Sequence, residues 1–171
     1  MDYKEILSSL TVIVDTREQS WAHIEDVFKR KNIKYRRQKL DAGDYSFEIT
    51  VNGEQISFTD TIVIERKNSL DELASCLTAD RERFKREFER MENADTDCIL
   101  LVENAKLSDL REGNYRSKIS AAAFEASLWA WKWRFGYDVF FIEKQCSGEY
   151  IYNLFYYYAR ELYKEHANGK S

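Results

Sequence analysis

Thr61-Ile62-Val63-Ile64-Glu65-Arg66-Lys67, with a further acid at Asp71, is the stretch on which the reading of this chain turns. The β-branched run favours a buried strand, and it leads straight into charge. A strand alternates its side chains between two faces, so Glu65 and Lys67 point one way and Arg66 the other. One carboxylate and one ammonium then share a pocket. Upstream stands Gly43-Asp44-Tyr45. If a neighbouring strand delivers Asp44 to the same place, two carboxylates can hold a hard divalent cation such as Mg²⁺, which prefers oxygen ligands and keeps several waters. Phosphodiester cleavage needs a nucleophile made from water and relief of the charge that builds on the phosphoryl oxygens, and a bound cation supplies both. A lysine beside it orients the water or steadies the phosphate. The bland alternative is a charged strand end entering a helix.

Working outward, the pattern predicts strand 11–17, helix 20–31, strand 33–40, hairpin 44–64, helix 69–91, strand 97–103, helix 117–135, strand 138–143 and helix 148–165. Alternating strands and helices predict an α/β layered domain, and the hairpin makes its sheet mixed. Asn52-Gly53 suits a type I′ turn. Gly113-Asn114 and Gly136 punctuate a chain that contains no proline. Along helix 69–91, Leu70, Leu73, Leu77, Phe84, Phe88 and Met91 form an apolar stripe, and Arg81 falls in phase with it. An inward cation calls for an anionic partner, a site carboxylate or a phosphate; the alternative is a break near Thr78-Ala79-Asp80, with Asp80 capping a new helix. Asp71 falls in a first helical turn, where the dipole alone favours an acid.

These motifs resemble the nuclease domain of the XPF family of structure-specific DNA endonucleases, whose signature is G-D, a variable stretch, then E-R-K-x-x-x-D. Here it reads Gly43-Asp44 and Glu65-Arg66-Lys67-Asn68-Ser69-Leu70-Asp71. Val12-Ile13-Val14-Asp15-Thr16-Arg17-Glu18 resembles the family's V-D-x-R-E strand, Leu77 and Arg81 fall where it has a leucine and an arginine, and Cys98 to Glu103 resembles its next buried strand. The resemblance implies a restriction-endonuclease-like fold, a mixed central sheet flanked by helices in one domain, 1–171. It implies Asp44, Glu65 and the main-chain carbonyl of Arg66 as ligands of Mg²⁺, for which Mn²⁺ substitutes. Lys67 is then catalytic, with Asp15, Arg17, Glu18, Arg66, Asp71 and Arg81 supporting the site. The chain departs from the family in a longer stretch between Asp44 and Glu65, and in carrying neither a helix-hairpin-helix module nor a helicase domain.

Length and composition fit one well-buried core: 171 residues, 44% hydrophobic. No apolar run approaches a bilayer span and the N-terminus is charged, so neither a membrane helix nor a signal peptide is expected. The expected location is cytoplasmic in a prokaryote or phage-infected cell, or nuclear in a eukaryote. Cys76, Cys98 and Cys146 are too scattered for a disulfide framework or a zinc knuckle and read as small core residues. His23 and His166 read as surface residues. The formal net charge is −4, yet Lys29 to Lys39 holds seven basic residues and no acid. Lys34, Arg36, Arg37 and Lys39, with Arg81, are the candidate DNA contacts, against the alternative of a solvated edge. Among the surplus aromatic residues, Trp129 and Trp133 extend the helical stripe of Ile119, Ala122 and Ala126, leaving Trp131 off it. Ile151, Leu154, Phe155, Tyr158 and Leu162 form another, leaving Tyr152, Tyr156 and Tyr163 on a second face. That surplus points to a homodimer or a related partner subunit. The expected activity is metal-dependent cleavage of branched, flap or junction DNA. The rivals are a catalytically silent scaffold subunit and a resolvase, exonuclease or restriction-type nuclease of the same fold.

Overall fold

The computed structural model describes residues 3–167, and of 165–167 the backbone alone; the reading of His166 falls outside the described side chains. The single α/β domain divides into two compact units, each discontinuous in sequence: Met1–Asp41, Tyr45–Thr59 and Gln145–Ser171 form the first, Ala42–Asp44 and Asp60–Lys144 the second.

In the first unit, β1 (Thr11–Val14) pairs in parallel with β2 (Lys34–Arg37) and antiparallel with β3 (Tyr45–Val51), which pairs antiparallel with β4 (Glu54–Ser57). The mixed pairing expected is therefore present. β3 and β4 meet across Asn52 and Gly53, with φ of 52° and 85°, as a type I′ turn requires. Helices α1 (Tyr3–Ser8), α2 (Ala22–Arg30) and α7 (Ser147–Ala167) cover these strands. Gly148 lets α7 lie close on α2, because a Cβ there would stand 2.8 Å from the Val27 Cβ. Phe47 stacks on Phe58 at 4.4 Å and on Phe155 at 5.1 Å. β1 ends at Val14 rather than at 17, because the Glu18 amide turns back to the Asp15 carbonyl at 3.1 Å.

In the second unit, β5 (Ile62–Lys67) pairs in parallel with β6 (Asp97–Glu103), and β6 in parallel with β7 (Asp138–Ile142). The expected hairpin 44–64 thus ends early: β4 stops at Ser57, and β5 belongs to a parallel set. Every residue of β5 is buried, the mark of a strand covered on both faces. Helices α3 (Leu70–Leu77), α4 (Arg81–Asn93), α5 (Leu107–Glu112) and α6 (Ala121–Phe135) pack here. Leu73, Leu77, Phe84, Phe88, Leu100, Phe124, Leu128, Trp131 and Tyr137 make the core.

Further expectations are corrected. Helix 69–91 is two helices. Thr78 leaves helical geometry at φ −123°, ψ −88°, and its hydroxyl donates to the Ala74 carbonyl at 2.7 Å. Asp80 stands at the N-cap of α4, but its side chain bonds no α4 amide; its carboxylate accepts from the Ser75 hydroxyl at 3.1 Å and closes off α3. In α6 the buried stripe is Phe124, Leu128 and Trp131, while Trp133 is 84% exposed. The helix is apolar on nearly every side, so periodicity alone misplaced the phase. Cys76 and Cys98 are buried as expected, but Cys146 is exposed.

Candidate active site

Segment 42–44 lies against β5 because residue 43 has no side chain. Gly43 sits at φ +73°, where L-residues are strained, and a Cβ there would come within 2.7 Å of the Val63 Cβ. This close approach lets the Asp44 amide donate to the Ile64 carbonyl at 2.8 Å. The Asp44 carboxylate in turn accepts the Arg66 amide at 2.8 Å through Oδ2. Asp44 is thereby fixed to the strand that carries the other site residues.

On β5 the three charges separate by face, as the period of two demands. Lys67 Nζ donates to Glu65 Oε1 at 2.5 Å, with both side chains under 10% exposed. The ammonium also stands 4.8 Å from the centre of the Phe84 ring on α4. Burial alone would lower the Lys67 pKa, but the neighbouring carboxylates, Glu65 foremost, carry it well above the ordinary lysine range. Lys67 is therefore a fixed cation at any working pH. Arg66 points to the opposite face, where Nη1 meets Glu103 Oε2 at 2.7 Å, with the two side chains 3% and 0% exposed. Glu103 is the last residue of β6, one position beyond the Lys67–Val102 pair. The sequence showed it only as a strand end.

Among the described residues no three acid, histidine or cysteine side chains cluster as a cation cage. Asp44 and Glu65 remain as two oxygen donors, with the Arg66 carbonyl between Glu65 and Lys67 on the same strand. That set suits a hard ion that retains waters. Burial pushes the Cys76 thiol up to about 11, so it stays protonated at neutral pH and offers no thiolate for a softer metal.

The other expected site residues have found other partners. Asp71 does open α3, but its carboxylate takes the Arg116 amide at 2.6 Å and the Arg116 Nε at 2.8 Å, and that guanidinium holds its pKa below the usual range. Arg81 donates to the Leu77 carbonyl at 3.1 Å and lies 4.8 Å from the Trp131 ring centre. It forms no ion pair among the described residues, so no site carboxylate supplies the anion expected of it.

Asp15, Arg17 and Glu18 belong to the first unit. Asp15 is 1% exposed and accepts Arg17 Nε at 2.8 Å, Arg17 Nη2 at 3.0 Å and the Leu40 amide at 2.6 Å. Burial opposes its charge, but the bonds from Arg17 and the Leu40 amide hold its pKa below the ordinary value. Glu18 accepts the Ser20 amide at 3.0 Å. The basic run is mostly engaged locally. Arg36 grips buried Glu48 at 2.8 and 2.5 Å, Arg37 donates to the carbonyls of Asp15, Thr16 and Glu18, and Lys34 donates to the Ser8 carbonyl at 3.0 Å. Lys29 pairs with Glu25 and Lys31 with Glu149. Arg30 and Lys39 are exposed.

A family model for the ERCC4 domain matches residues 14–154. The chain belongs to the ERCC4 domain family. Among solved structures the domain is similar to XPF from Aeropyrum pernix, at 20% identity and a TM-score of 0.61, covering 85% of this chain and 59% of that one. It is also similar to XPF from Aeropyrum pernix in complex with DNA, at 17% identity and a TM-score of 0.61, covering 91% of this chain and 65% of that one. The chain thus spans about three fifths of the length of the first of these structures. The likeness bears out the expected restriction-endonuclease-like fold, and the family match bears out the XPF-family resemblance. No curated protein matches the sequence.

Proposed function

We propose that this ERCC4 domain is a Mg²⁺-dependent DNA endonuclease acting on branched, flap or junction DNA. The observation that carries the reading is the buried Glu65–Lys67 pair on one face of β5, with Asp44 tied to the same strand through the Arg66 amide. Asp44, Glu65 and the Arg66 carbonyl hold the cation, which supplies an activated water and charge relief at the phosphate. Lys67 meets the scissile phosphate or the attacking water as a permanent donor, because its charge is secured by its neighbours. Arg66, anchored to Glu103, keeps the strand from turning its charged faces. The DNA-bound relative supports DNA as the partner. Arg30 and Lys39 are the members of the basic run best free to meet phosphate.

Two copies are proposed to act together. The exposed side of α6 carries Ala122, Ala123, Ala126, Ala130 and Trp133, an apolar face suited to a second chain.

The test is nicking of fork, flap, four-way and linear DNA with Mg²⁺, with Mn²⁺ and with EDTA. Cleavage is expected with either ion and none with EDTA, and Asp44→Ala and Glu65→Ala are each expected to abolish it while circular dichroism shows the fold retained. Wild-type rates in a folded double variant would sink the mechanism. Equal cleavage of linear duplex and branched DNA would remove the structure specificity.

A further inference from the structure

Glu87 is a half-buried carboxylate on α4 that takes no part in the arrangement described so far. Its position follows from Phe84. The Phe84 ring lies 4.8 Å from the Lys67 ammonium, and the residue three further along a helix sits one turn on along the same flank. Glu65 and Lys67 leave β5 on the face that Phe84 covers, and Glu87 shares the Phe84 flank of α4, where the fields of both reach its carboxyl. Burial first, then the negative field of Glu65, push the Glu87 carboxyl above its ordinary pKa, while Lys67, Arg83 and Arg90 pull the other way. Among the described residues Glu87 accepts no hydrogen bond and forms no ion pair. A carboxylate placed close to a like charge with no donor of its own costs the metal-free protein stability. Such a cost is tolerated where a positive charge arrives with a ligand.

Glu65 meanwhile has two claims on it. Its Oε1 is engaged by Lys67 at 2.5 Å, and it is one of the two carboxylates available to a divalent cation. One carboxylate cannot fully neutralise both an ammonium and a dication. We propose that Glu87 is a positioning residue of the site: the outer carboxylate that balances Lys67 once Glu65 is committed to the cation, and whose charge strengthens the cation's binding. It is not a third ligand, since no three such side chains cluster as a cage among the described residues. The inference rests on the nuclease reading above.

The experiment compares wild type, Glu87→Gln and Glu87→Asp without DNA, by calorimetric titration with Mn²⁺ and by thermal unfolding in EDTA. The glutamine variant is expected to unfold at an equal or higher temperature, because repulsion against Glu65 is gone. It is expected to bind Mn²⁺ roughly tenfold more weakly, the size of effect a single nearby charge exerts in partly screened surroundings. Aspartate restores most of the affinity. With DNA added, kcat falls in the glutamine variant more than KM rises. A residue that merely braced the fold would instead lower the unfolding temperature and leave Mn²⁺ affinity alone, and that result overturns the inference. Wild-type uptake of Mn²⁺ with unchanged affinity in the glutamine variant overturns it alone, whereas a wild type that takes up no Mn²⁺ overturns the nuclease reading along with it.

Discussion

Arg66 shows how a site residue can be named from sequence while its work stays hidden. The two-residue period told that Arg66 faces away from Glu65 and Lys67. It did not tell that Glu103 waits there, because an acid at a strand end looks the same whether it meets water or a guanidinium. The pair is fully buried, and buried pairs cost so much desolvation that apolar residues of similar size serve stability as well or better. Removing one member is another matter, since it strands a charge. Glu103→Leu is expected to cost about 3–5 kcal/mol in urea unfolding, and Arg66→Met with Glu103→Leu to recover most of that. If the double variant is as unstable as the single one, the loss at Glu103 is one of packing rather than of charge. The reading of Asp71 met the opposite fate: its helix-opening place was legible, but its partner Arg116 lies 45 positions on, in a loop without periodicity.

At the scale of elements, the strands were the most legible and the helices around them the least. β5 and β6 announced themselves by unbroken apolar runs, and the β3–β4 turn by Asn-Gly. α6 failed because a helix with alanine and tryptophan on both sides has no unique stripe, and the α3–α4 break was hidden by a stripe that resumed in phase after it. The basic run was only partly legible, for a different reason. Charge density along a sequence does not say what each side chain already holds, and β3, on the other side of β1 from β2, places Glu48 where Arg36 can grip it. Arg36→Ala is therefore expected to lower stability by about 2 kcal/mol, the loss of a charged hydrogen-bonded pair discounted for the exposure of the guanidinium. Lys39→Ala is expected to leave stability unchanged and to reduce the log-log salt slope of DNA binding by about one unit if it meets a phosphate. Measuring unfolding and salt dependence on the same two variants separates the roles; an unaltered slope for Lys39→Ala moves the DNA path off this segment.

For the whole molecule, the family and the fold were legible because a handful of motif residues sit at strand ends, where sequence pattern and geometry coincide. The means of gripping DNA was not, because it depends on surfaces, and surfaces carry no period. A small domain by itself offers few phosphate contacts, and a second copy doubles them without new chemistry when both halves reach the substrate together. Trp133→Glu is expected to leave the unfolding free energy within about 0.5 kcal/mol, as exposed substitutions do. It is also expected to turn the protein monomeric in sedimentation and to depress cleavage at low protein concentration. A wild type that sediments as a monomer at concentrations where it cleaves fully would end the two-copy reading and leave the α6 face to another partner.

The depths of the tryptophans give this domain a built-in optical gauge. Trp131 is 1% exposed beneath the Arg81 guanidinium and Trp21 is 7% exposed, whereas Trp133 is 84% exposed. A collisional quencher such as iodide in solution must therefore extinguish the red-shifted emission of Trp133 first and leave the blue emission of the core. Any body that settles on α6 will silence that quenching, in the unmodified protein and with no substrate present.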